Sequence, residues 1–126
     1  MRIIIADDDD DVRAPVQMML SSAGHRVSAH PDGRLAGEAL QKEGADLAVL
    51  DINMPGMDGL ELLDLIRGDT RYKDMPIILL TGAKNTGLRT SALQRGADDY
   101  IIKPFDKDDF LRRVALLGKA FSADHV

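Results

Sequence analysis

At 126 residues the chain is one domain of ordinary size, able to bury roughly two thirds of its unfolded surface without staples. It has no cysteine, which excludes a disulfide framework or a cysteine zinc site and points to a reducing compartment. A formal charge of −5 with no clustered basic residues argues against a nucleic-acid surface. No apolar run reaches the length of a membrane span or a signal-peptide core, so the expected location is the cytoplasm.

The sequence opens "RIIIADDDDDVR", in which Arg2–Ala6 predicts a first strand and Asp7–Asp11 are five consecutive aspartates. Adjacent carboxylates repel, so they either lie open to water or have something positive among them. Asp9, Asp10 and Asp11 suit the positive dipole end of a first helix and supply its N-cap. That helix ends at "SSAGHRVSAH", where Gly24 predicts a left-handed stop and Arg26–His30 a second strand. The same pattern recurs in "QKEGADLAVLD", with Gly44 and a third strand over Asp46–Asp51. Gly68 is given a similar part before the longer connection "DTRYKDM", which leads to a fourth strand over Pro76–Thr81. In "LQRGADDYIIK", Gly96 precedes a fifth strand over Asp98–Lys103. The last helix aligns Phe110, Val114, Leu117 and Phe121 on one stripe; Gly118 within it costs about 1 kcal/mol against alanine and predicts fraying. Residues 1–121 are expected to form the domain and 122–126 a loose tail.

Helices alternating with near-continuously apolar strands predict a doubly wound α/β domain, a five-stranded parallel sheet with helices on both faces. In such sheets ligands bind beyond the carboxyl ends of the strands, where strand order reverses. The polar strand ends are Asp7 and Asp8, Asp51, Thr81 and Lys103, while the second strand, ending "SAHPDG", reads as an edge away from the site. His25, His30 and His125 lie off these ends and receive no role.

The acidic pair Asp7-Asp8, the stretch "DINMPGMDG" from Asp51 to Gly59, the isolated Thr81 and the dipeptide Lys103-Pro104 resemble the receiver domain of bacterial two-component response regulators, in its chemotaxis-regulator-like single-domain form. The resemblance spans essentially the whole chain and implies the flavodoxin-like strand order 2-1-3-4-5. With the first and third strands adjacent, Asp7, Asp8 and Asp51 converge, and three carboxylates with no cysteine or histidine beside them select Mg²⁺ or Mn²⁺ over zinc. The family pattern implies that the metal is held by Asp8, Asp51 and the backbone carbonyl of Asn53, with Asp7 orienting metal-bound water. It implies further that Asp51 accepts a phosphoryl group, that Lys103 and Thr81 bind its oxygens, and that Tyr100 changes orientation as Thr81 moves. The Lys103–Pro104 bond is the candidate cis-proline. Gly82, Ala83 and Gly87 make "TGAKNTG" pliant, and small Ala83 leaves the phosphoryl group open on one side.

A haloacid-dehalogenase-type phosphatase would need a second aspartate two residues after Asp51, where Asn53 stands, and no phosphate-cradling glycine motif of a nucleotide-binding domain occurs. A degenerate receiver acting only as a docking module is disfavoured by the intact set Asp8, Asp51, Thr81 and Lys103. The expectation is a switch, not a metabolic enzyme: it takes a phosphoryl group from a histidine kinase or histidine phosphotransfer protein and changes its helix 4, strand 5 and helix 5 face. It then dephosphorylates itself, acting through a downstream protein partner, with neither nucleic acid nor membrane bound by this domain. The alternative is an N-terminal receiver fragment of a longer DNA-binding or enzymatic regulator.

Overall fold

The computed structural model describes residues 1–82 and 87–124, with side chains to Phe121. Ala83 and His125 lie outside the described residues. Five strands alternate with five helices: β1 (Arg2–Ala6), α1 (Asp10–Ser22), β2 (Arg26–His30), α2 (Gly33–Glu43), β3 (Leu47–Asp51), α3 (Gly59–Arg67), β4 (Ile77–Gly82), α4 (Arg89–Gln94), β5 (Asp99–Lys103) and α5 (Lys107–Asp124). All strands pair in parallel in the order β2-β1-β3-β4-β5, so the order reverses between β1 and β3. β3 is buried from end to end, whereas edge strand β2 is mostly half-buried.

The two-residue period of the strands divides the core into two halves. Ile3, Ile5, Leu47, Val49, Ile78, Leu80 and Ile101 pack against Val16 and Leu20 of α1 and Phe110 and Val114 of α5. Ile4, Ala6, Ala48, Leu50, Ile77, Leu79 and Tyr100 pack on the opposite face against α2, α3 and Ala92 of α4. Parallel ladders with helices on both faces need such strands, because neither face meets water.

Gly24, Gly44 and Gly96 take φ values of 95°, 76° and 109°, the left-handed stops that the sequence predicts. Gly68 does not. Its φ of −76° is right-handed, because the chain does not reverse there but tightens into a short 3₁₀ turn over Thr70–Tyr72, opened by the Asp69 carboxylate accepting from the Arg71 N–H. Three strands begin one residue later than their expected starts at Asp46, Pro76 and Asp98. Asp46 and Asp98 instead accept the first strand N–H of a neighbour, from Arg2 at 2.7 Å and Ile77 at 2.8 Å. Gly118 brings no interruption: it is buried, a Cβ there would lie 2.4 Å from the tip of Met1, and α5 runs on to Asp124, three residues into the segment read as a tail.

Candidate functional site

Asp7 directly follows β1, Asp51 closes β3 and Lys103 closes β5. Each continues the alternation that sends Ile5, Val49 and Ile101 towards α1 and α5, so period two alone turns three charged side chains to one face of the sheet. Asp7 and Asp51 are buried, at 1% and 4% exposure, and Asp8 is exposed. Ligand oxygens of Asp7, Asp8 and Asp51 all lie within 4.8 Å of one another, the arrangement that can hold a cation. The Lys103 ammonium sits between the two buried members, 3.2 Å from Asp7 Oδ2 and 3.2 Å from Asp51 Oδ1. The second Asp7 oxygen accepts the Asp9 N–H at 3.0 Å.

The electrostatics follow from this crowding. Burial and then the Asp7 carboxylate push the Asp51 carboxyl up from its ordinary 3.8 to about 6, outweighing the pull of Lys103. Burial works against the charge of Lys103, yet Asp51 and Asp7 together hold its ammonium above the ordinary lysine value. Among the described residues one ammonium is thus shared by two buried carboxylates with a third beside them. A donor set of carboxylates alone suits a hard divalent ion.

The loop that follows Asp51 is shaped by its glycines. Gly56 turns it with a φ of 78°, and Gly59 brings the start of α3 so close to β3 that a Cβ there would lie 2.3 Å from the Asp51 carbonyl oxygen. The Gly59 N–H donates to the Ile52 carbonyl at 2.9 Å, and Asp58 and Glu61 form a reciprocal capping box at the helix start. Asn53 lies in this loop, two residues past Asp51, and is exposed.

Thr81 and Tyr100 are brought to a different place. Thr81 is buried at the end of β4 and shares the strand parity of Ile77 and Leu79, so it belongs to the α2–α4 side of the sheet, and its hydroxyl donates to the Gly82 carbonyl at 3.3 Å. Tyr100, 2% exposed, lies on that same side in the cluster that includes Ala92 of α4 and Leu88. The Lys103–Pro104 peptide bond is cis. His30 has a backbone link to the site that the sequence does not show: its carbonyl accepts the Asp7 N–H at 3.1 Å, while its ring pairs with the Ser28 hydroxyl at 2.6 Å. Sequence reasoning also passes over Arg13, whose side chain reaches back to the Asp7 carbonyl at 2.8 Å and to the Asp10 carboxylate. The available signal was its spacing, three residues after Asp10 on one helix face.

An all-parallel sheet whose strand order reverses beside an acidic cluster that could hold a cation defines the class: an open α/β domain with its candidate site at the carboxyl ends of β1 and β3. The family model for the response regulator receiver domain matches residues 3–115, and the chain belongs to that family. It is similar to transcriptional regulatory protein GltR of Pseudomonas aeruginosa, with 40% identity over 119 residues that cover 94% of this chain and 49% of GltR. It is also 40% identical over 126 residues to response regulator MprA of Mycobacterium leprae, covering 98% of this chain and 54% of MprA. The chain therefore spans about half the length of the curated relatives it matches. Among solved structures, a putative response regulator from Chloroflexus aurantiacus superposes with a TM-score of 0.89 at 30% identity, covering 94% of this chain and 97% of that one. Chemotaxis protein CheY4 of Vibrio cholerae gives 0.86 at 30% identity, covering 92% and 97%. Among the described residues no helix is long and apolar enough to cross a membrane.

Proposed function

We propose that Asp51 is a phosphoacceptor, taking a phosphoryl group from a histidine kinase or histidine phosphotransfer protein and later losing it to water within the same site. The observation that carries this reading is the placement of Lys103, 3.2 Å from both Asp51 and Asp7, with Asp8 completing a compact acidic cluster. Asp8, Asp51 and the Asn53 carbonyl would hold Mg²⁺ or Mn²⁺, with Asp7 orienting a water on it. When bound, the metal supplies charge neutralisation of the phosphoryl oxygens, which otherwise repel the attacking carboxylate. Lys103 is already drawn to Asp51, and on phosphorylation its ammonium is within reach of a phosphoryl oxygen in place of a carboxylate one. The Asp51 oxygen attacks phosphorus, the bond from phosphorus to the donor nitrogen breaks, and an acyl phosphate remains.

Thr81 and Tyr100 form the switch in this reading. Among the described residues the Thr81 hydroxyl donates to the Gly82 carbonyl at a long 3.3 Å, a contact that turning towards a phosphoryl group gives up at little cost, and Tyr100 lies on the same side of the sheet as Thr81 and α4. The output face is the one built from α4, β5 and α5, presented to a downstream protein partner in the cytoplasm. Coverage of only about half of GltR and MprA supports a second reading, that the domain belongs to a longer regulator. The chemistry at Asp51 is the same in both.

Acetyl phosphate with Mg²⁺ should add one phosphoryl group by intact mass spectrometry. Omitting Mg²⁺, or the change Asp51→Asn, should abolish labelling. An unlabelled wild type or a labelled Asp51→Asn would refute the assignment.

A further inference from the structure

Five consecutive aspartates cross from β1 into α1, and Arg13 is the α1 cation that turns back onto them. Its guanidinium does not contact the cluster's carboxylates. One Nη donates to the backbone carbonyl of Asp7 at 2.8 Å, the other pairs with the Asp10 carboxylate, and the side chain is only 21% exposed. The Asp7 carbonyl belongs to the peptide unit joining Asp7 to Asp8. Because that unit is planar, holding its oxygen restricts ψ of Asp7 and φ of Asp8 together. On the other side of Asp8, the Asp9 N–H is held by the Asp7 side chain at 3.0 Å. Asp8 is thereby pinned through the backbone before and after it, although its own side chain is exposed.

We propose that Arg13 is a positioning residue for the cation site: it fixes the Asp7–Asp8 peptide so that the Asp8 carboxylate stands against Asp7 and Asp51. This rests on reading the cluster as a divalent-cation site. A guanidinium suits the task because its planar fork spans two acceptors at once, which an ammonium on a flexible stem does not. The role gives a signature opposite in sign to that of charge alone. A cation near the site repels Mg²⁺, so removing it should tighten binding if charge were its whole effect. Loss of positioning weakens binding, and outer-shell partners of metal ligands commonly matter by 10-fold to 100-fold in affinity.

The test is Mg²⁺ titration by isothermal calorimetry at constant ionic strength, on wild type, Arg13→Met, Arg13→Lys and Asp8→Asn. Arg13→Met should weaken Mg²⁺ binding by roughly tenfold or more. Arg13→Lys, which keeps the charge but not the fork, should fall between it and wild type. Tighter or unchanged binding in Arg13→Met, or wild-type affinity in Arg13→Lys, overturns the proposal. If thermal unfolding shows that Arg13→Met has lost its cooperative fold, Arg13→Lys decides by the same criterion. Failure of the cation-site reading looks different: wild type does not bind Mg²⁺, or Asp8→Asn binds it equally well.

Discussion

Neutralising Asp51 should stabilise the metal-free protein, and the gain should depend on pH. Folding raises this carboxyl from 3.8 to about 6, so the folded state holds the proton more tightly than the unfolded one. Below pH 3.8 the group is protonated in both states and carries no penalty. As pH rises through about 6 the folded state must ionise a buried carboxyl beside Asp7, and the stability present at low pH is lost. A shift of about two units at 1.36 kcal/mol each amounts to about 3 kcal/mol at neutral pH. Asparagine mimics the protonated form, so Asp51→Asn should exceed wild type by up to about 3 kcal/mol at pH 7, or about 10 °C in Tm for a domain of this size. Lys103 does not lose all its partners, because Asp7 remains 3.2 Å away. Thermal and urea unfolding in the presence of a chelator, from pH 4 to 8, measures the gap. It should close towards pH 4; a variant no more stable than wild type at pH 7, or a gap independent of pH, refutes the account of Asp51.

Beryllofluoride with Mg²⁺, standing in for the phosphoryl group, should shift amide NMR signals of Thr81, residues 87–95 and Tyr100 as well as those beside Asp51; changes confined to 7–8 and 51–53 would remove the switch from this face. Gly59→Ala should cost about 1–3 kcal/mol in urea unfolding, because its Cβ would meet the Asp51 carbonyl oxygen at 2.3 Å and the Ile52 Cα at 2.9 Å, all of it backbone that cannot step aside. Gly118→Ala is its contrast: it meets only the flexible tip of Met1 and regains about 1 kcal/mol of helix propensity, so it should be near neutral, and equal losses in the two variants would count against the packing argument.

The strands were legible because each apolar run has few alternatives once glycine stops fix the helix ends, whereas their order came only from the family resemblance. Gly68 was misread because a glycine after an apolar helix looks the same whether the chain reverses or tightens into a 3₁₀ turn; what separates them is Asp69, whose carboxylate cap acts only once the turn exists. Convergence of Asp7, Asp8 and Asp51 was legible from strand ends plus strand order. That Thr81 lies on the other side of the sheet from Lys103 was not, because it requires the β4–β5 register, in which Thr81 faces Ile102 and Lys103 faces Gly82. Arg13 stayed hidden for another reason: a lone arginine on a polar helix face reads as solvated, and its acceptor is a backbone carbonyl, which no side-chain pattern announces.

The one-residue offset between Thr81 and its neighbour Leu80 assigns the two faces of the sheet different work. Asp7, Asp51 and Lys103 open towards α1 and α5, whereas Thr81 and Tyr100 lie with α2, α3 and α4. On the proposed function, substitutions that remodel the surface of α1 would change which donor approaches the carboxylates while the packing around Tyr100 stays intact. On the same reading, substitutions on the surface of α4 would change what reads the domain while the carboxylate cluster stays intact. In the proposed switch the two faces are joined at Thr81, near the carboxyl end of β4, and at α5, which packs on the site's side of the sheet yet belongs to the output face, so the separation holds for α1 against α4 and not for α5.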